Sequence, residues 1–334
     1  MSAYEKQEMD IFDITILGGG PVGLFGLFYA GLRGLRAKLI DSLAELGGQL
    51  ITLYPEKYIY DAAGYPKVLA KDLVKSCVEQ GLRFNPAVCL EEKVIDLTHH
   101  DDRLIQLHTD KGEHWTRAVV LAVGVGAFAP KKLELPAIDR LEGRGIYYFV
   151  KEKGAFAGKT VLIVGGGDSA VDWALMLKDI AKEVTLIHRR DKFRAHEQSV
   201  QELMASPVKV KCFYELKTVH GCDYLEGATI FHNKTGEETY YKVDALILSL
   251  GFLADLGPVK KWGLTVENNA IRVNERMETN LLGVYAAGDA VTHPGKLKLI
   301  TTGQGEAAIA VNFASTYINP DSKAFPGHSS MMNL

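Results

Sequence analysis

A carboxylate and a group of guanidiniums stand at matching places in two copies of one short pattern. The first copy runs Asp13-Ile-Thr-Ile-Leu-Gly18-Gly19-Gly20-Pro21-Val22-Gly23, and 21 residues after Gly20 comes Asp41. The second runs Thr160-Val-Leu-Ile-Val-Gly165-Gly166-Gly167-Asp168-Ser169-Ala170, and 21 residues after Gly167 comes His188, followed by Arg189, Arg190 and then Arg194. A carboxylate accepts hydrogen bonds from ribose hydroxyls and repels a 2'-phosphate. Guanidinium groups instead pair with phosphate in bidentate geometry. The spacing therefore predicts two nucleotide pockets of opposite preference, the first for FAD or NAD(H) and the second for NADPH. That pairing suits the passage of electrons between two nucleotide cofactors.

Such side chains need a strand, a glycine turn and a helix to place them. Residues 13 to 17 read as an apolar strand, and residues 22 to 32 as a helix whose N-terminus attracts a pyrophosphate. Gly18, Gly20 and Gly23, with Pro21 between them, allow the tight turn and close backbone approach. Residues 37 to 40 read as the second strand, ending at Asp41. In the second copy Ala170 takes the place of the third glycine, a substitution this fingerprint permits. Asp168 is predicted to cap a helix from Ser169 to Lys182, in which Val171, Ala174, Leu175, Leu177 and Ile180 recur at helical spacing. Gly165, Gly167, Asp168, Ser169, Ala170, His188, Arg189, Arg190 and Arg194 form the expected NADPH site.

Composition narrows the classes further. A chain of 334 residues is long enough for two cores, and 47% hydrophobic with 24% charged residues is the balance of a globular protein. A formal net charge of -3 gives no sign of nucleic-acid binding. The longest apolar run, residues 118 to 130, is too short and glycine-rich to span a membrane, and the first twelve residues are polar, so the expected location is the cytoplasm. Cys77, Cys89, Cys212 and Cys222 show neither Cys-x-x-Cys nor metal-ligand spacing. They read as small buried hydrophobes, and no metal is expected.

Several segments together resemble the thioredoxin-reductase-like flavoproteins in order and spacing. They are the two glycine turns, Gly47-Gly48-Gln49-Leu50, the stretch from His188 to Arg194, and Glu278-Thr-Asn-Leu-Leu-Gly-Val-Tyr-Ala-Ala-Gly288-Asp289. The resemblance covers nearly the whole chain. It implies an α/β fold of two Rossmann-like three-layer nucleotide-binding domains, with the NADPH domain (125–253) inserted into an FAD domain (1–124 and 254–334). Gly18, Gly20, Pro21, Gly23 and Asp41 would hold FAD with Gln49, Val94, Phe128, Asp289 and Ser330. A helix opening at Thr301-Thr302-Gly303-Gln304 would turn its positive end toward the flavin.

One departure from that family decides the acceptor. Thioredoxin reductases carry a redox-active Cys-x-x-Cys shortly before the second glycine turn, and the corresponding stretch here, residues 145–153, has none. Without an attacking thiolate and a resolving partner, no dithiol relay can operate. The chain then looks like the thioredoxin-reductase-like ferredoxin–NADP+ reductases, homodimers that exchange electrons between NADPH and an iron–sulfur protein. This likeness implies hydride transfer to flavin N5 followed by single-electron steps to ferredoxin, in either direction. It places the ring of Tyr54 on one face of the isoalloxazine. On the other face it places a ring from the C-terminal segment of a second subunit, His328 first and Phe325 second. Two other readings share these motifs: an NADPH-dependent flavin reductase of a quinone or other small acceptor, and a redox-idle flavoprotein acting as a binding module. An acidic ferredoxin would meet a basic rim, for which Lys131, Lys132, Lys151, Lys153, Lys209, Lys211, Lys260, Lys261, Lys296 and Lys298 are candidates.

Overall fold

Near-continuous runs of aliphatic residues make strands that are covered on both faces, the pattern of a parallel sheet. The structure, a computed structural model, describes residues 10–100, 103–135, 137–323 and 327, with the backbone alone at 127–129 and 252–254. The chain divides into two compact units, Met1–Ala127 with Ala254–Leu334, and Phe128–Leu253.

In the first unit the strand Ile11–Leu17 lies between Ala37–Ile40 and Glu113–Leu121 and runs parallel to both. Ala87–Cys89 continues the sheet beyond Ala37–Ile40. Leu104–Thr109 and Val94–His100 extend the other side as an antiparallel meander. Val284–Ala286 pairs in parallel with the far half of Glu113–Leu121. Register matters most here. Leu17 stands opposite Ile40 and Leu121, and Leu121 opposite Ala286, so four parallel strands finish in one row. Gly18, Asp41, Ala122 and Ala287 leave the sheet along that carboxyl edge, where open α/β sheets bind ligands. The helices Pro21–Leu32 and Ile300–Ile318 pack together over the sheet, burying Ile14, Ile16, Leu24, Leu27, Ala310 and Val311.

The second unit repeats the plan with five parallel strands, ordered Ile146–Tyr147, Ala245–Ser249, Thr160–Gly165, Glu183–His188 and Lys209–Cys212. A three-stranded antiparallel sheet of Tyr214–His220, Gly227–His232 and Glu238–Tyr241 accompanies it. Three sequence expectations are corrected. The helix after the second glycine turn spans Asp168–Leu177, not Ser169 to Lys182. It stops early because the Ile180 carbonyl accepts from Gly158 N and Lys182 N donates to Lys159 O, which feeds the chain into the next strand. Nor is Asp168 its cap: Gly167 is, in extended conformation, while the Asp168 carboxylate accepts from His196 N at 2.9 Å. The cysteines also differ from expectation, since Cys77 is buried, Cys89 and Cys212 are half-buried and Cys222 is exposed.

Candidate functional site

The glycines of the first turn have separate tasks. Gly18 has φ +108°, and a Cβ there would lie 2.4 Å from the Ala122 carbonyl oxygen; a Cβ on Gly23 would lie 1.8 Å from the Gly18 oxygen. These two seat the helix on the strand ends. A Cβ on Gly19 would meet Asp41 Oδ2 at 2.9 Å, because the Asp41 side chain folds beneath the turn. There Oδ2 accepts from Gly19 N at 2.5 Å and Oδ1 from Leu43 N at 2.9 Å. Burial pushes the Asp41 carboxyl pKa up, against the pull of the Leu43, Gly19 and Ser42 amides. Each oxygen keeps acceptor capacity for a hydroxyl. Gly20 is unlike the others, for the nearest atom to its Cβ position is 4.0 Å away. The helix behind it has no side-chain cap, which leaves its first turn without a side-chain acceptor.

The same edge collects the rest of the flavin candidates. Asp289 sits in the turn Gly288–Ala290, half-buried, and its carboxylate accepts no hydrogen bond from the described residues. Gln49 opens the helix Gln49–Leu53, with Tyr54 just after it, and its Nε2 lies 3.3 Å from the Cβ position of Gly124. Tyr54 is close to both Asp289 and Asp61: burial first, then these two charges, push its phenol up to about 12. Val94 begins the strand Val94–His100 two residues after Glu92, whose N–H donates to the Asp41 carbonyl at 3.0 Å. Gly18, Gly20, Pro21, Gly23, Asp41, Gln49, Tyr54, Val94 and Asp289 thus belong to one unit. The side chain of Phe128, and the whole of Phe325, His328 and Ser330, lie outside the described residues.

The second unit handles its turn in the same way with other residues. A Cβ on Gly165 would lie 2.5 Å from Ser249 O. One on Gly166 would strike the His188 ring at 2.3 Å, whereas Gly167 has nothing within 4 Å. His188 therefore occupies the place under the turn that Asp41 fills in the first unit. It is 8% exposed, donates from Nε2 to Lys192 O at 3.1 Å and stacks at 5.0 Å on Phe193. Burial pushes its imidazole pKa down, the Lys192 carbonyl opposes this, and the charges of Arg189, Arg190 and Arg194 add to the lowering. The neutral ring fills space, and the cationic part of the cluster is the arginines alone. All three are exposed and without an ion pair among the described residues. Arg194 is tied to the turn itself by donating from its N–H to Gly166 O at 2.7 Å. Ala170, buried in the helix, touches the Gly165 position, and Asp168 and Ser169 begin that helix, which also lacks a side-chain cap.

Both cradles fit the groups inferred from sequence. The open positions are Gly20 and Gly167, where backbone can approach a phosphate. The filled ones hold the Asp41 carboxylate in one unit and the His188 ring in the other, with the exposed guanidiniums of Arg189, Arg190 and Arg194 beside it.

Sequence reasoning missed several residues. Asp61 accepts from Ile300 N at 2.8 Å and so receives the first amide of the C-terminal helix, while the Thr301 hydroxyl donates to the Asp61 carbonyl at 2.7 Å. Nothing local marks this pairing, since 239 residues separate Asp61 from Ile300. Glu306 is 4% exposed on the apolar face of that helix, and a lone acid among Gly303, Ala307 and Ala310 was a legible signal. Cys89, Glu92 and His114 also converge, with possible ligand atoms within 4.8 Å of one another. Protein donors already engage this group, however. Thr109 and His114 donate to Glu92, and the Lys38 ammonium lies 2.8 Å from His114 Nδ1. Four of the ten lysine candidates form ion pairs with described residues. Lys132 pairs with Asp139 and Glu142, Lys209 with Glu183, Lys260 with Asp255 and Lys296 with Glu306.

Comparison with known proteins gives the family of the chain. The model of the pyridine nucleotide-disulphide oxidoreductase family matches residues 12–307. A relative from Shouchella clausii named ferredoxin–NADP reductase 2 is 52% identical over 328 residues, covering 98% of this chain and 99% of that one. The ferredoxin–NADP reductase of Geobacillus kaustophilus is 50% identical over the same length and coverage. Among solved structures, thioredoxin reductase from Lactococcus lactis is 26% identical with a TM-score of 0.78, covering 92% of this chain and 99% of that one. No helix among the described residues is long and apolar enough to cross a membrane.

Proposed function

Because the chain belongs to the pyridine nucleotide-disulphide oxidoreductase family, we infer that it is an oxidoreductase exchanging electrons between NADPH and ferredoxin by way of FAD. The observation that carries this reading is full-length identity of about half to ferredoxin–NADP reductases, in a chain whose second unit lacks the dithiol that thioredoxin reduction needs. When bound, FAD supplies the conversion between a two-electron hydride and single electrons.

The chain's own residues bind and orient. The unit built from Met1–Ala127 and Ala254–Leu334 holds FAD, with Asp41 on the adenosine ribose, the Gly20 turn on the pyrophosphate and Asp289 on the ribityl side. Tyr54 offers its ring to the isoalloxazine, and with its hydroxyl kept protonated it does so as a neutral group. In the other unit, the Gly167 turn takes the NADPH pyrophosphate and Arg189, Arg190 and Arg194 take the 2'-phosphate. The resemblance adds a homodimer, with His328, or else Phe325, reaching the flavin of the second subunit. A cytoplasmic location suits four unpaired thiols.

The reading is tested by anaerobic mixing of the purified yellow protein with NADPH, then with oxidised ferredoxin. Bleaching by NADPH and recovery of colour with ferredoxin is the expected course. A protein that stays yellow is a redox-idle binding module, and one whose colour returns with quinones but not with ferredoxin is a reductase of small acceptors.

A further inference from the structure

Three chain segments meet behind the Asp289 turn. A Cβ on Gly303 would lie 2.6 Å from Val22 Cγ2 and 3.2 Å from Gly288 Cα, and a Cβ on Gly288 would lie 3.2 Å from Val22. The starts of the helices Pro21–Leu32 and Ile300–Ile318 thus close on the turn that carries Asp289. Three residues further along the helix, on the same face as Gly303, stands Glu306, 4% exposed. Its Oε2 accepts from Gly288 N at 2.8 Å, Oε1 from His293 Nε2 at 3.0 Å, and both oxygens lie 2.7 Å from Lys296 Nζ. The side chains of Lys296 and His293 are themselves only 9% and 18% exposed.

A buried carboxylate without donors is strongly disfavoured, and breaking a buried pair leaves an uncompensated charge. Here every donor to Glu306 among the described residues comes from residues 288–296, a stretch that holds the Asp289 turn. One side chain of the helix thereby fixes both ends of that segment, Gly288 at its start and Lys296 at its close. We propose that Glu306 is a positioning residue: through Gly288, His293 and Lys296 it holds the Asp289 turn in the place where that carboxylate can bind the flavin half of FAD. This rests on the assignment of FAD to this unit.

The test uses the full chain, freed of FAD and titrated with FAD by flavin fluorescence, with ADP as competitor to report the adenosine half of the same site. Glu306→Ala is expected to raise the FAD dissociation constant about 100-fold, and Glu306→Gln, which keeps an acceptor for Gly288 N, about tenfold. Lys296→Met is expected to weaken FAD about tenfold as well, and Glu306→Gln combined with Lys296→Met to recover part of that loss, because no buried charge is then left unpaired. The competition constant of ADP should stay within about twofold throughout. If Glu306→Ala does not fold, the glutamine and methionine variants carry the test. FAD affinity unchanged in both, or FAD and ADP weakened equally, overturns the proposal. A wild-type chain that binds no FAD overturns instead the cofactor assignment on which it rests.

Discussion

At the scale of single residues, the most instructive comparison is between Asp41 and His188, which lie at the same place beneath their turns. Each forces glycine at the middle of its turn, Gly19 or Gly166, so the extra glycines make room for side chains rather than for nucleotide. With the His188 pKa lowered, the proposed selection of NADPH rests on the arginines. Replacing Arg189 and Arg190 with Ala should raise the KM for NADPH about tenfold to hundredfold, the range of charge-assisted hydrogen bonds, and leave that for NADH nearly unchanged. Equal effects on the two cofactors in steady-state assays would remove the arginines from 2'-phosphate recognition. Tyr54 gives a second residue-scale expectation. Its folded pKa of about 12 exceeds the ordinary value of 10, so folding favours the protonated phenol. The associated stability is complete below pH 10 and is lost as pH rises toward 12, by about 2–3 kcal/mol at one pKa unit per 1.4 kcal/mol. Denaturant melts across that window should fall less steeply for Tyr54→Phe than for the wild type.

Elements decide which glycines matter to folding and which to ligand. Gly20 and Gly167 have ordinary backbone angles, φ -74° and -99°, and open space at the Cβ position. Gly20→Ala should therefore leave the FAD-free chain within about 0.5 kcal/mol of wild-type stability, yet weaken FAD tenfold or more by holding the pyrophosphate off the helix N-terminus. Gly167→Ala should do the same for NADPH alone. Gly23→Ala, by contrast, drives a methyl into the Gly18 carbonyl and should lower stability by about 3 kcal/mol or more. Calorimetry of the fold beside titration of each nucleotide separates these outcomes. This division explains how much of the site was legible. Strand, turn and strand-end acid are local in sequence, so Gly18, Gly23, Asp41 and the helix beginning at Pro21 could be read in advance. Asp61 with Ile300 joins segments 239 residues apart, and no short segment records that meeting, whereas Glu306 with Lys296 spans only ten residues and was overlooked although the lone acid was there to read. The second helix was misjudged for a related reason, since Ile180 kept the helical period but its carbonyl was needed by Gly158 at the start of a strand.

On the scale of the whole molecule, the question is where electrons leave. Members of this family that reduce thioredoxin use a dithiol in the inserted unit, and no such pair stands in this chain. The four thiols it does have are poor carriers. Burial pushes Cys77 up to about 11 and raises Cys89 and Cys212 as well, so thiolate is scarce at these three at neutral pH, and the exposed Cys222 is a free thiol. Electrons must then pass from flavin to acceptor without sulfur chemistry of the protein's own. Exhaustive alkylation with iodoacetamide at neutral pH should modify Cys222 first and leave NADPH-driven ferredoxin reduction within about twofold of the untreated rate. A loss of ferredoxin reduction that tracks Cys222 modification, with flavin reduction by NADPH preserved, would reinstate a thiol on the exit path. The same preparation, sized by light scattering, tests the homodimer that a ring from a second subunit requires. A chain that is monomeric at assay concentrations yet fully active would leave Tyr54 as the flavin's one aromatic neighbour of the inferred pair.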